Sequence, residues 1–124
     1  MIKVSTDKAP KAIGPYSQAI KSGSLVFTSG QIPLDPKSGE IVGADIVAQA
    51  NQTLNNLKAV LEASGSGMEY IVKTTCFLAD MCYFQKFNEV YSNYIVNAPA
   101  RSCVAVKTLP KNVLCEVEAI AELK

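Results

Sequence analysis

The residues with the clearest chemical potential form two short groups near the end of the chain. Arg101 and Cys103 are two residues apart, and so are Glu116 and Glu118. Side chains two residues apart on a β-strand share a face, so pairing of these two segments predicts a guanidinium, a thiol and two carboxylates on one patch. A guanidinium in such a cleft can bind a planar carboxylate through two parallel hydrogen bonds. The pattern therefore favours a small carboxylic acid as ligand.

The alternative interpretation of these residues is structural. An antiparallel pairing with its turn near residues 109–110 places Arg101 near Glu118 and Cys103 near Glu116. The arginine would then form an ordinary cross-strand ion pair, and the glutamates would be solvated positions on an edge strand. A register slip of one residue would move the side chains to the wrong face.

Histidine is absent from the chain, which removes the commonest general base and the commonest metal ligand. Cys103 has no imidazole to activate its thiol, and a nearby carboxylate would raise its pKa. Cys76, Cys82 and Cys115 are expected to be packing residues. The cysteines form no C-x-x-C pair, so we expect four reduced thiols. The sequence contains no P-loop, dinucleotide fingerprint or carboxylate metal cluster, and we expect no metal or cofactor.

Length and charge restrict the class of protein further. The 124 residues correspond to a single domain, 1–124, and their net charge of +1 makes a nucleic-acid partner unlikely. The N-terminus lacks the apolar run of a signal peptide, and no stretch reaches the roughly 18 apolar residues of a membrane span. We therefore expect a cytoplasmic protein with no membrane partner.

The first half of the chain predicts a hairpin and a long helix. Residues 16–21 and 25–29 are short strand-like runs around Ser22-Gly23-Ser24. Asp45 is a candidate N-cap for a helix over residues 46–63, which ends before Gly65. Its apolar stripe comprises Ile46, Ala50, Leu54, Leu57 and Leu61, and the residues off that stripe are Gln49, Gln52, Asn56 and Glu62.

The second half predicts a strand, a helix and two further strands. Residues 71–78 have the β-branched and aromatic content of a strand. Asp80 caps a second helix, which ends at Asn97-Ala98-Pro99; its aromatic side comprises Phe84, Phe87, Tyr91 and Tyr94. Residues 101–106 and 113–123 are predicted to close the chain as an antiparallel strand pair.

These elements give the order ββ-α-β-α-ββ, with a short extra strand near residues 2–5, and predict an α+β fold. Two amphipathic helices can cover one face of such a sheet. The strand over residues 71–78 is apolar on both faces, with Ile71 and Phe77 on one side and Val72 and Leu78 on the other. We infer a homo-oligomer in which the sheets of neighbouring copies pack together. The alternative is a monomer with one solvated sheet face.

Several segments together resemble the RidA (YjgF) family of reactive-intermediate imine deaminases, in order and at family-like spacing. They are residues 12–19 (AIGPYSQA), 28–33 (TSGQIP), 72–75 (VKTT), 87–91 (FNEVY), 99–104 (PARSCV) and 116–121 (EVEAIA). The resemblance spans essentially the whole chain. It implies a chorismate-mutase-like mixed sheet with two helices on one face, assembled as a homotrimer whose sheets line the interior.

The resemblance also implies an activity. Members of the family hydrolyse 2-imino acids such as 2-iminobutanoate and 2-iminopropanoate to 2-oxo acids and ammonia, which protects pyridoxal-phosphate enzymes from these imines and their enamine tautomers. The partners expected from this are small 2-imino and 2-oxo carboxylic acids, bound in clefts between subunits. The family needs no metal or organic cofactor.

Individual positions match the family's functional residues. Arg101 matches the carboxylate-binding arginine, Glu116 the glutamate that holds the attacking water, and Cys103 a residue whose backbone contacts the ligand. Tyr16 matches an aromatic residue that lines the cleft from a neighbouring subunit. Ser29 and Gly30 match the wall beside the substrate, and Asn88 matches a further polar lining residue. One departure is Ala105, where close relatives often carry Glu or Gln; it leaves the core motif intact.

Two other functions stay open from the sequence. A trimeric sensor could bind 2-oxo acids or other small carboxylates at the same arginine without turnover. Some relatives are credited with endoribonuclease or translation-inhibitor activity, for which this chain offers little physical support because it has no basic excess.

Overall fold

One six-stranded mixed sheet and two helices organise the chain in the computed structural model, which describes residues 1–124. The strands are β1 (Ile2–Val4), β2 (Ala19–Ser22), β3 (Leu25–Thr28), β4 (Ile71–Leu78), β5 (Ala100–Ala105) and β6 (Cys115–Glu122), and the helices are α1 (Ile46–Ala63) and α2 (Phe84–Tyr94). Three short 3₁₀ turns cover Met68–Tyr70, Met81–Tyr83 and Pro110–Asn112. The predicted α+β fold, with both helices over one sheet face, is confirmed. Neither helix is long and apolar enough to cross a membrane.

The first hairpin and the short N-terminal strand follow the prediction. β2 and β3 pair antiparallel with Ser22 opposite Leu25, and Gly23 takes a positive φ of 61° in the two-residue turn. β1 pairs antiparallel with β2. The first strand of the hairpin begins at Ala19 rather than at residue 16, because the segment before it forms a turn closed by the Tyr16 N–H and the Gly14 carbonyl.

Helix α1 begins and ends at the predicted residues. The Asp45 carboxylate accepts a hydrogen bond from the Ala48 N–H (2.8 Å), which satisfies one of the free donors of the first turn. The apolar stripe is buried, but Gln49 and Asn56, predicted to lie off that stripe, are buried as well. Both are tolerated there because their amides bond backbone groups: Gln49 accepts from the Leu114 N–H, and Asn56 donates to the Leu34 carbonyl.

The strand order β1-β2-β3-β6-β4-β5 corrects the predicted pairing of the last two strands. β5 pairs in parallel with β4, whereas β6 lies between β3 and β4 and is antiparallel to both. Helix α2 connects β4 to β5 and returns the chain to the same end of the sheet, which makes those strands parallel. β6 occupies the centre because one of its faces is wholly small and apolar: Cys115, Val117, Ala119 and Ala121 are all buried.

A bulge in β4 corrects the predicted alternation along that strand. The register with β6 shifts between Ile71 and Lys73, so Val72 is exposed rather than on the same face as Leu78. From Thr74 onward the alternation is regular, and Thr74, Cys76 and Leu78 face the helices. Residues of the opposite face stay accessible, including Phe27 (41% exposed) and Val104 (47% exposed). One sheet face is therefore covered within the chain and the other is open and partly apolar.

Candidate functional site

The side chain of Arg101 packs against helix α2. Its guanidinium carbon lies 4.8 Å from the centre of the Tyr91 ring and 5.6 Å from that of Phe84. Its Nη1 donates a hydrogen bond to Oδ1 of Asn88 (2.7 Å). The three helix residues are spaced i, i+4 and i+7, so they form one stripe along α2. Two aromatic faces and one amide therefore hold the guanidinium at the start of β5.

The strand beneath Arg101 supports this arrangement. Thr74 of β4 is the register partner of Arg101, and it is fully buried. Its hydroxyl is 2.7 Å from the Tyr91 hydroxyl, with which it shares a hydrogen bond. The second aromatic contact of Tyr91 is with the core residue Phe87, at 5.9 Å between ring centres. The ring under Arg101 is thus fixed by the core and by the sheet.

A hollow of about 490 Å³ opens beside Arg101. Asn88, Tyr91, Ile95 and Pro99 line it together with the arginine. The guanidinium carries five N–H donors, and it makes one hydrogen bond within its own chain, to Asn88. The predicted cross-strand ion pair with Glu118 is wrong, since the parallel β4 separates the strands that carry the two residues. Arg101 therefore faces the hollow with most of its donors free.

Cys103 lies on the same face of β5 as Arg101 and is half-buried. Its register partner is Cys76 of β4, and not Glu116 as the antiparallel pairing predicted. Burial raises the pKa of the Cys103 thiol, and the Arg101 charge opposes this only in part. All four cysteines are free; Cys76 and Cys115 are buried as expected, whereas the prediction that Cys82 packs in the core is wrong because it is exposed.

A second group of predicted site residues meets on the open face of the sheet. Glu116 of β6 points away from the helices, and its carboxylate lies against Gly30. A Cβ added at Gly30 would stand 1.9 Å from Oε2 of Glu116, so this close approach requires glycine. Gln31 fixes the segment, because its N–H and carbonyl bond the carbonyl and N–H of Val117 (2.8 and 3.1 Å).

The segment that passes Glu116 contains a local bulge. The β3–β6 pairing runs as far as Phe27 opposite Ile120 and resumes at Gln31 opposite Val117. Between these points, the Ala119 N–H donates to the Thr28 hydroxyl (3.0 Å) instead of to a ladder carbonyl. Three residues on this side, 28–30, therefore face two on β6, 118–119, as in a β-bulge.

The hollow over Glu116 has a volume of about 480 Å³ and includes Tyr16, Ser29 and Gly30 in its wall. The Tyr16 ring is 52% exposed, and the Ser29 hydroxyl donates to the Ser17 carbonyl (2.5 Å). Burial, and secondarily the Glu118 charge, raise the pKa of Glu116. A carboxyl with a raised pKa is suited to proton transfer near neutral pH.

The predicted site residues thus fall into two groups, which we call the arginine half-site (Asn88, Arg101 and Cys103) and the glutamate half-site (Tyr16, Ser29, Gly30 and Glu116). They lie on opposite faces of the sheet, so the predicted single patch is wrong for one chain. Three residues that support the arginine half-site were not predicted as site residues: Thr74, Phe84 and Tyr91. The sequence pattern places Phe84 and Tyr91 on the aromatic side of the second helix, and the polar Asn88 between them is the signal that this side has a second role. No cluster of three or more Cys, Asp or Glu side chains could hold a metal ion.

Comparisons with known proteins agree with this architecture. A family model described as Endoribonuclease L-PSP matches residues 6–123, and the chain belongs to that family, also known as YjgF/RidA. A RutC family protein of Pyrococcus horikoshii is 55% identical over 119 residues, which cover 95% of this chain and 94% of that protein. The 2-iminobutanoate/2-iminopropanoate deaminase of Escherichia coli K12 is 51% identical over 122 residues, with 95% and 94% covered.

Two solved structures are closely similar to the chain. A putative endoribonuclease from Thermotoga maritima has a TM-score of 0.97 and 54% identity, with 100% of this chain and 98% of that one covered. E. coli TdcF, solved with bound serine, has a TM-score of 0.94 and 45% identity, and both chains are covered completely. The resemblance noted in the sequence is confirmed at the level of family and fold.

Proposed function

We propose that this protein hydrolyses 2-imino acids such as 2-iminobutanoate and 2-iminopropanoate to 2-oxo acids and ammonia. The single observation that carries the proposal is the state of Arg101: a guanidinium held in place by its own chain, with free donors facing a hollow. Such a group suits a planar carboxylate. Two relatives support the substrate class, since one is named a deaminase of these imines and another was solved with the amino acid serine.

The two half-sites require a second copy of the chain. Arg101 and Glu116 lie on opposite sheet faces, so one small substrate cannot reach both within one chain. In the homotrimer that we propose, the arginine half-site of one subunit meets the glutamate half-site of its neighbour. The partly apolar open face would be covered by the same assembly, since exposed apolar patches commonly mark interfaces.

In the proposed reaction, Arg101 fixes the carboxylate and so orients C2 of the imino acid. The Glu116 carboxylate takes a proton from a water molecule as the water oxygen bonds to C2 and the C=N π electrons move to the nitrogen. Glu116 returns this proton to the nitrogen, which gives a carbinolamine. The hydroxyl proton of the carbinolamine then passes through Glu116 to the nitrogen, the C–N bond breaks with its electron pair going to the nitrogen, and ammonia leaves as the C=O bond forms. General acid–base catalysis of this kind contributes roughly 10²–10⁴-fold. Because an imine is already electrophilic, positioning and one held water are sufficient.

The remaining half-site residues would shape the cleft. Tyr16, Ser29 and Gly30 would come with Glu116 from the neighbouring subunit, Tyr16 closing the cleft and Ser29 and Gly30 forming the wall beside the substrate. The Cys103 backbone, from the subunit that carries Arg101, would contact the ligand. The Cys103 thiol has no nucleophilic role in this scheme, because burial raises its pKa.

The test is turnover of freshly made imine. An amino-acid oxidase acting on alanine generates 2-iminopropanoate, and its decay is followed with and without the protein. Arg101→Ala should lose about 2–5 kcal/mol of transition-state binding. Lys107→Ala, which removes an exposed cation just after β5, is the matched control. Decay at the wild-type rate with Arg101→Ala would exclude the proposal, and binding of 2-oxo acids without any turnover would favour the sensor function.

RNA cleavage is the second candidate function, because the matching family model and a similar solved structure carry endoribonuclease names. The same preparations are tested on a labelled RNA. Cleavage that survives repeated purification and the Arg101→Ala substitution would favour this function over imine hydrolysis.

A further inference from the structure

The side of helix α2 that faces Arg101 is held in place by hydrogen bonds as well as by packing. Tyr91 is 8% exposed, and its ring lies between the core and the guanidinium. Its hydroxyl shares the 2.7 Å hydrogen bond with Thr74, the register partner of Arg101. The ring is therefore held at its tip by the strand that also sets the backbone position of the arginine.

Asn88 determines which edge of the guanidinium is free. Its Oδ1 accepts from Nη1 of Arg101 at 2.7 Å. In a guanidinium, Nε and Nη2 carry the parallel N–H pair on the edge away from Nη1, and these are the donors that bind a carboxylate side-on. Neither finds an acceptor within the chain.

We infer that Tyr91 and Asn88 are positioning residues, which hold the Arg101 guanidinium so that its Nε–Nη2 edge is preset for side-on binding of the substrate carboxylate. The inference rests on the proposed function, since it takes a carboxylate as the ligand of Arg101.

Preordering of this kind has a physical purpose. An arginine side chain has many rotamers, and a binding site that must first order it loses affinity. The cation–π contact to Tyr91 and the hydrogen bond to Asn88 select one orientation before the ligand arrives. Tyr91 and Asn88 would consequently act on substrate binding, through Arg101, and not on the proton transfers at Glu116.

Tyr91→Leu tests the inference, with Tyr94→Leu as the matched control. Tyr94 lies on the same helix, but its hydroxyl bonds Asn51 and Asn55 of α1, and the rings that contact Arg101 are those of Phe84 and Tyr91. The readouts are the affinity for 2-oxobutanoate by calorimetry, the KM and kcat for 2-iminopropanoate, and the ¹⁵Nε–¹Hε resonance of Arg101. We expect about tenfold weaker binding and a KM raised by the same factor for Tyr91→Leu, with kcat within about twofold.

Two further variants separate positioning from stability. Tyr91→Phe keeps the ring but removes the bond to Thr74, so it should restore binding to within about threefold of wild type while lowering the melting temperature. Asn88→Asp places a carboxylate on Nη1 and competes for the guanidinium, so it should raise the KM by about tenfold or more without lowering the melting temperature. Asn93→Asp makes the same change at an exposed position of α2 and is its control. Because Asn88 is half-exposed, we expect Asn88→Asp to fold. The KM values of Asn88→Asp and Asn93→Asp therefore test the inference even if Tyr91→Leu does not fold.

The outcomes distinguish this inference from the proposed reaction. Equal affinities for Tyr91→Leu and Tyr94→Leu, or an unchanged Arg101 Nε resonance in Tyr91→Leu, would overturn the inference while imine turnover by the wild type still upheld the reaction. The converse result is a wild type that binds 2-oxobutanoate more tightly than Tyr91→Leu does and yet leaves imines intact. That result would refute the reaction but not the positioning role. A wild type that binds no carboxylate would overturn both.

Discussion

Arg101 and Glu116 lie on opposite faces of one sheet, with β4 between the strands that carry them. Thr74 of β4 is the partner of Arg101, and Phe77 of the same strand is the partner of Glu116. Residues 74 and 77 are an odd number of positions apart on β4, so they face opposite sides of the sheet, and so do their partners Arg101 and Glu116. A reaction that needs both residues must therefore take one from each of two subunits.

Subunit complementation follows directly from this geometry. Arg101→Ala and Glu116→Ala chains should each be inactive alone, but equal amounts refolded together should form mixed assemblies. In a symmetric trimer, about a quarter of the clefts would then combine an intact arginine with an intact glutamate. Imine turnover of the mixture, compared with the two separate preparations, measures this. No recovery from assemblies that have demonstrably mixed would contradict a shared site.

The open sheet face should be the surface through which the copies associate. Val104 on β5 is 47% exposed and lies on that face. Val104→Lys should reduce the assembly to smaller species, because an ammonium in an apolar interface is costly unless it is paired. Light scattering after size-exclusion chromatography measures the mass. Val47→Lys, at a 42% exposed valine on helix α1, should leave the mass unchanged.

The close contact between Gly30 and Glu116 predicts a selective loss of activity. Gly30→Ala would place a Cβ 1.9 Å from Oε2 of Glu116, so the carboxylate must move. We expect turnover to fall by roughly 10²-fold, as when a catalytic base loses its position, while the protein still folds and binds 2-oxobutanoate. The same substitution in a Glu116→Asp background should cost much less, since the shorter side chain withdraws the carboxylate. Equal losses in both backgrounds would refute this steric explanation.

Local sequence signals sufficed for elements whose contacts are close in the chain. The Asp45 cap and the apolar stripe that follows it predicted both ends of α1 correctly, and Gly23 predicted the first turn. These signals suffice because capping and turn interactions act within a few residues. The place of β6 in the sheet could not be predicted in this way. Its neighbours are set by the α2 crossover and by which strand best fills the core, and both are long-range properties.

The candidate site shows the same division. The spacing of Arg101 and Cys103, and that of Glu116 and Glu118, correctly predicted which residues share a face of each strand, because side-chain alternation is local. Their mutual distance depended on the strand order, and the antiparallel pairing assumed for it was wrong. The contact of the Glu116 carboxylate with Gly30 depends on a bulge that begins at Thr28. The residues of that segment carry no sequence signal for the bulge.

The buried amide of Asn56 should contribute to stability more than its helix position suggests. Its Nδ2 donates to the carbonyls of Ile32 and Leu34 at 3.0 and 2.9 Å, which ties the segment after Gly30 to α1. Asn56→Leu removes both bonds, although the Ile32 carbonyl keeps the Leu34 N–H (2.8 Å) and the Leu34 carbonyl keeps Nε2 of Gln52 (3.4 Å). Loss of the two bonds should lower the free energy of unfolding by about 1–3 kcal/mol. Asn55→Leu, at the exposed neighbouring position, should change it by less than about 0.5 kcal/mol. Denaturant titration at one protein concentration compares them, and similar effects would contradict the argument.

The acid limb of the pH–rate profile should report Glu116. The proposed reaction needs its carboxylate ionised, so the rate falls as the pH drops through the pKa of Glu116. Burial raises that pKa above its ordinary value of 4.5, and the charge of Glu118 raises it further. Glu118→Gln removes the second cause, which lowers the pKa of Glu116, so the fall in kcat/KM for 2-iminopropanoate should move to lower pH. Glu122→Gln, at the exposed end of β6, should leave the limb in place. A limb that stays fixed in Glu118→Gln, or that persists in any residual activity of Glu116→Gln, would show that another group controls the rate.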